Sequence, residues 1–235
     1  PISGSVYEGP LAVIVDRYSA SASEIFAGAI QDYSRGIVVG QQTFGKGTVQ
    51  SLYHLDRYSR FQSKKGFGQL TLTIGKFYRV SGQGTQNKGV IPDIRLPSFI
   101  DEEVVGEDTK KNTLPWDQIM SLEYDSDLTF HQSIEKLKKN FTEKSKENLP
   151  LLFLQEDIDQ ITEQNKQTKM SLNYEKRKIK RDQFKKVTQD RRTKRLEELG
   201  YGNENNFNDF ASKTLLNEVL NTVVNLIESK DIESG

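Results

Sequence analysis

Apolar and polar positions divide the chain into two regimes. Leu11-Ala12-Val13-Ile14-Val15 is an unbroken apolar run, the pattern of a strand buried on both faces. From Ser23 to Tyr33 the apolar Ile25, Phe26, Ala29, Ile30 and Tyr33 recur at helical spacing. Gly36-Ile37-Val38-Val39-Gly40 follows as a second short buried strand. Strand, helix, strand within about 30 residues is a βαβ rhythm and predicts an α/β core. Thr48 to Leu55 and Gln69 to Val80 read as longer strands; in the second, Leu70, Leu72 and Ile74 alternate with Thr71 and Thr73. Glycines 82, 84 and 89 turn the chain before Val90-Ile91-Pro92-Asp93-Ile94.

After Pro97 the period changes to that of helices. Phe130, Ile134, Leu137 and Phe141 form one stripe, and Leu151, Leu154, Ile158 and Ile161 form another behind Pro150. Tyr174 to Leu199 reads as a polar helix, Gly200 to Asn208 as a loop, and Phe210 to Ile227 as a helix with a wide apolar face that must pack. The boundary falls in the acidic, turn-prone stretch near residues 98–112. This gives a first domain over 1–100 and a helical domain over 101–235.

Composition narrows the chemistry. Lys plus Arg equals Asp plus Glu at 33 each, so net charge favours no polyanionic partner. The absence of cysteine excludes a thiol nucleophile, disulfides and thiolate metal sites. No stretch approaches the roughly 20 apolar residues of a spanning helix. A chain that opens at Pro1 reads as a fragment or processed product. The cations from Lys176 to Arg195 encircle their helix with few interleaved aromatics. That describes a solvated helix or a dock for an acidic partner, not a nucleic-acid reader.

Two segments carry candidate chemistry: Ser19-Ala20-Ser21-Ala22-Ser23-Glu24 and Thr43-Phe44-Gly45-Lys46-Gly47-Thr48-Val49-Gln50. The first sets hydroxyls at a strand-to-helix turn, where free N–H groups can stabilise an oxyanion; the Ala22 amide is one such donor. Ser21-x-x-Glu24 is equally a capping box, and position does not separate Ser21 from Ser19 or Ser23. The second segment places Lys46 in a glycine-flanked bend between apolar strands. A neutral lysine amine can deprotonate a serine, provided burial brings it down from its ordinary value near 10.4. No acid lies between Gln41 and Leu55 to oppose this, and Gln50 can orient the amine without adding charge. Asp32, late in the same helix, takes a supporting or helix-fixing role, because a carboxylate beside Lys46 would hold it protonated. Gly40-x-x-x-x-Gly45-Lys46 approaches a P-loop, but Gly47 replaces the metal-binding hydroxyl and a β-prone run replaces the helix. His54 and His131 lie far apart and fit neither a triad nor a zinc motif.

With these residues in view, the chain resembles the tail-specific proteases of the C-terminal processing peptidase family, in their long bacterial form. Lys76-Phe77-Tyr78-Arg79-Val80, Gly84-Thr85-Gln86, Lys88-Gly89-Val90, Pro92-Asp93, Leu114-Pro115-Trp116-Asp117 and Ser171-Leu172-Asn173 extend the likeness over nearly the whole chain. The resemblance implies the C-terminal part of a crotonase/ClpP-like α/β protease core followed by an α-helical domain. It implies Ser21 as nucleophile, Lys46 as general base, Gln50 as the residue orienting that lysine, and Asp32 at a position of the family's charge relay. It further implies a protein or peptide substrate with an apolar C-terminus, an adaptor at the helical domain, a periplasmic location, and neither cofactor nor metal. The family's earlier half-domain, its glycine-rich oxyanion loop and its PDZ domain have no counterpart in these residues, so this segment alone is expected to be inactive. The rival reading is a non-catalytic helical interaction module on a protease remnant.

Overall fold

A computed structural model describes residues 6–61, 64–200 and 209–233, with side chains to 228 in the last helix. The chain divides into two compact units, one running to Arg95 and resuming over Glu102–Gln132, the other formed by Leu96–Asp101 and by the chain from Ser133. By contacts, therefore, the stretch after Glu102 belongs with the first unit.

In the first unit, β1 (Ala12–Val15) lies parallel to β2 (Ile37–Gly40), and α1 (Ala22–Asp32) makes the crossover. A short β5 (Ile94–Arg95) pairs parallel with the other edge of β2, giving the order β1-β2-β5. β2 is buried along its whole length, as its apolar run requires, and Val15, Ala27, Ile30, Val38 and Val90 form the core beside it. β1 departs from the expectation of burial on both faces. It is an edge strand, and Ile14 is 58% exposed on the face away from α1. An apolar run marks a strand but not how many layers cover it.

β3 (Thr48–His54) and β4 (Gln69–Lys76) form a separate antiparallel ribbon. The alternation in β4 does mark a strand, but neither face of it is buried: Leu70, Leu72 and Ile74 are all exposed. The strand also stops at Lys76, where the chain turns to pair Tyr78 with Gly84. The 112–120 segment is pinned there by Lys76 Nζ to the Pro115 carbonyl and the Asp117 carboxylate, and by the Trp116 indole N–H to the Gly84 carbonyl.

The second unit is helical. α2 (Leu128–Lys144) begins in the first unit with the buried Phe130 and contributes Ile134 and Leu137 to the second, where α3 (Leu149–Asn165) buries Leu151, Phe153 and Leu154. Asn148 caps α3 through its side-chain oxygen, with Pro150 in the first turn where its missing N–H costs nothing. α4 (Tyr174–Glu198) is exposed over its first four turns and is anchored late, where the buried Arg195 pairs with Glu156 and Asp157. α5 (Phe210–Glu233) buries Val219 and Leu226 but leaves Leu216, Leu220 and Val224 half-exposed. No helix among the described residues is long and apolar enough to cross a membrane.

Candidate active site

β1 ends in a tight turn that carries the serine cluster into α1. Asp16 organises it: its carboxylate accepts from the N–H groups of Tyr18 and Ser19 and from the Ser19 hydroxyl. Ser19 is thereby committed to the turn. Ser21, the last residue before α1, is exposed and holds φ 58°, ψ −113°. A side chain there is strained, since this region is essentially glycine's. A strained strand-to-helix elbow of this kind carries the nucleophile in α/β-hydrolases. The next residue, Ala22, opens α1, and its N–H donates to no described residue. It is one of the orphan donors of a helix N-terminus.

Lys46 lies in the 41–47 loop between β2 and β3. A strand follows it and not a helix, which removes the phosphate-cradle reading. The loop is pressed against residues 85–90. Asn87 N–H donates to the Gly45 carbonyl, Gly47 N–H to Gln86 Oε1, and Val90 N–H to Thr43 Oγ1. Gly45 has φ 89°, and a Cβ there would stand 2.8 Å from the Asn87 carbonyl carbon, so glycine is required on both counts.

One side chain joins the turn to the loop. Glu24, on the first turn of α1, is 0% exposed. Its Oε2 accepts from the N–H groups of Ser21 (2.8 Å) and Lys46 (2.9 Å), and its Oε1 from Gly45 N–H (2.6 Å) and Thr43 Oγ1 (2.6 Å). The main-chain nitrogens of Ser21 and Lys46 therefore share one oxygen, and lie no further apart than those two bonds laid end to end. Phe44 N–H adds a direct bond to the Ser19 carbonyl (2.9 Å). Arg17, 1% exposed, braces the loop from behind, donating to the Thr43 carbonyl (2.7 Å) and pairing with Asp108 (2.6 Å). Lys46 is half-buried as a residue, and its side chain pairs with no carboxylate among the described residues.

The structure thus brings the main chains of Ser21, Ala22 and Lys46 together. Gln50 lies further along, exposed on β3 at the register shift after Val49, and makes no hydrogen bond to Lys46. Asp32 is not at this site. It ends α1, about 15 Å from its start at 1.5 Å per residue. Its carboxylate is held bidentately by Arg79, at 2.9 Å from Nε and 2.6 Å from Nη2. Such a pair fastens α1 to the chain after β4. Asp32→Ala and Arg79→Ala are each expected to lower thermal stability, and the double variant little further, giving a coupling of about 1–3 kcal/mol. Additive losses in urea unfolding would show that the two do not act as a pair. Sequence reasoning misses Glu24, Thr43 and Arg17; only the Ser21-x-x-Glu24 spacing hints at the first.

The site sits on a parallel βαβ unit, and a helical unit follows it in the chain, so the chain is of the mixed α/β class. Residues 3–96 match peptidase family S41, and residues 100–230 match the C-terminal domain of tail specific protease (DUF3340). The chain belongs to the tail-specific protease family. It is 43% identical over 180 residues to the tail-specific protease of Haemophilus influenzae, covering 75% of this chain and 26% of that protein. It is 40% identical over 101 residues to a carboxy-terminal-processing protease of Bartonella bacilliformis, covering 43% and 21%. Among solved structures it is similar to a photosystem II D1 C-terminal processing protease, at 37% identity over 37% of this chain and 20% of that one, with a TM-score of 0.32. The chain spans about a quarter of the length of its Haemophilus relative and less of the other two.

Proposed function

We propose that this chain supplies the nucleophile and base of a serine endopeptidase that cuts proteins with apolar C-terminal tails. The observation that carries this reading is the shared Glu24 oxygen, which sets a strained Ser21 and the Lys46 loop against one another. Lys46, as the neutral amine, takes the Ser21 proton while Oγ attacks the scissile carbonyl. The oxyanion then develops beside the uncommitted Ala22 N–H. The protonated amine passes its proton to the departing amine, and a water activated by Lys46 releases the acyl group. Gln50, on β3 four residues beyond Lys46, is assigned to orienting the lysine in the substrate complex. Asp32 fixes α1 and takes no part in proton transfer, because a carboxylate engaged by Arg79 at the far end of the helix cannot reach the amine.

The parallel βαβ unit is the kind of element a crotonase/ClpP-like core is built from, and the helical unit is assigned to substrate or adaptor docking. Neither cofactor nor metal enters the chemistry. A periplasmic location rests on the likeness to bacterial tail-specific proteases. In the full-length protein, Ser21→Ala is expected to abolish cleavage of a folded reporter carrying an apolar tail, with unchanged thermal stability. Wild-type cleavage by Ser21→Ala would remove Ser21 from the chemistry and favour the reading as an interaction module.

A further inference from the structure

α5 carries asparagine at every fourth position, Asn217, Asn221 and Asn225. The row borders open space. Asn217 and Asn221 line a cavity of about 430 Å³ against Asn148 and Phe210, and Asn221 and Asn225 line an adjoining one of about 260 Å³ against Asn140 and Phe141. The wall between them is set by Asn148, whose Nδ2 donates to Glu218 (2.8 Å) while its Oδ1 caps α3. The three α5 amides, by contrast, bond to no other described residue. Both cavities hold one lysine and at least one glutamate, so neither favours a polyanion or a polycation.

The spacing identifies the ligand. A primary amide presents one donor and one acceptor on the same edge. In an extended chain each residue's N–H and C=O also share an edge, and the same edge recurs every second residue, at about 6.4–6.8 Å. Along a helix surface the i, i+4 row advances about 6 Å along the axis and about 40° around it. At a radius of about 5 Å that is a step of about 7 Å. Three asparagines in this row therefore meet alternate residues of one extended strand with little accumulated error. Leu216, Leu220 and Val224 form the neighbouring row, half-exposed, with Leu220 and Val224 at i, i+3 from Asn217 and Asn221. They offer an apolar strip to the strand's downward-facing side chains.

We propose that the Asn217–Asn221–Asn225 row reads the main chain of an extended, apolar polypeptide. The inference deepens the proteolytic reading, its occupant being a stretch of substrate other than the one being cut. The test uses the full-length protein silenced by Ser21→Ala, so that binding is measured without turnover. The probe is a fluorescein-labelled peptide of about nine alternating serines and leucines, carrying one photoactivatable leucine. Cross-links are expected to map to residues 216–225, and Asn217→Ala/Asn221→Ala/Asn225→Ala to weaken the cross-linked complex at least about tenfold. Methylating alternate backbone nitrogens of the peptide should do the same without touching the protein, which answers any folding defect in the variant. Cross-links confined to other segments, or equal affinity of the methylated peptide, would overturn the proposal. Preferential binding of chitin oligosaccharides in competition would do so too, and would give the groove to a glycan. Shortening of the probe by the Ser21→Ala protein would count against the peptidase reading, whereas the cross-link map alone decides the groove, so the two fail separately.

Discussion

Full-length protein carrying Lys46→Arg is expected to lose at least about 10²–10⁴-fold in kcat while folding normally, the range that a positioned general base contributes. Arginine keeps the length and positive charge of the side chain but does not surrender its proton. A lysine that merely anchored a substrate carboxylate, or capped the loop, would tolerate the change. The loop itself gives no reason for misfolding. Its main-chain bonds to Glu24, Gln86 and Asn87 do not involve the Lys46 side chain, and that side chain pairs with no carboxylate among the described residues. Steady-state cleavage of an apolar-tailed reporter, with thermal unfolding in parallel, separates the alternatives. Activity within about tenfold of wild type would end the assignment of Lys46 as base, since that is less than the least a positioned base supplies.

The βαβ unit and all four C-terminal helices are visible in the sequence because local periodicity decides them. The apolar run at 37–39 and the stripes through Ile134 and Leu154 each mark an element and its buried side. What periodicity cannot show is coverage. Leu70, Leu72 and Ile74 alternate as a half-buried strand should, yet the ribbon they belong to has no layer on either face among the described residues. Ile14 and the outer row of α5 are the same case.

Ser21 and Lys46 are legible because a strand-to-helix turn and a glycine-flanked bend can be found in one dimension. Their joint is not. Glu24 occupies the third residue of a helix, where acidic side chains are commonplace helix-end partners. Only the folded loop reveals that this one is fully buried and saturated by donors from two segments about 20 residues apart. Asp32 shows the converse. The family resemblance sets it at a charge-relay position, and the partner that gives it a helix-fixing role, Arg79, lies beyond three further strands.

Glu24→Gln is expected to cost both stability and turnover. Four donors converge on the carboxylate, two on each oxygen, and an amide replaces one of those oxygens with a donor of its own. If the amide nitrogen faces Ser21 and Lys46, both N–H groups lose their acceptor. If it faces the other way the Thr43 hydroxyl can rotate to accept, but Gly45 N–H is orphaned. Each buried, unsatisfied donor costs about 1–3 kcal/mol, and the charge-assisted strength of the remaining bonds falls as well. A loss of about 2–4 kcal/mol in stability follows. The catalytic loss should be larger than this destabilisation explains. One orientation removes the oxygen shared by Ser21 and Lys46 and the other unpins the loop at Gly45, so the bond from Phe44 N–H to the Ser19 carbonyl is left to hold a loosened joint; a displacement of about 1 Å there costs roughly 10²-fold. The signature is a fall in kcat with KM nearly unchanged, at temperatures where the variant is fully folded. Asp32→Asn, which weakens the ion pair at the other end of α1, should lower stability while leaving kcat within about threefold once folded. Equal effects of the two variants on kcat would mean that Glu24 only stabilises the fold. Wild-type kcat in the Glu24→Gln variant would mean that the elbow and the loop hold each other without the carboxylate.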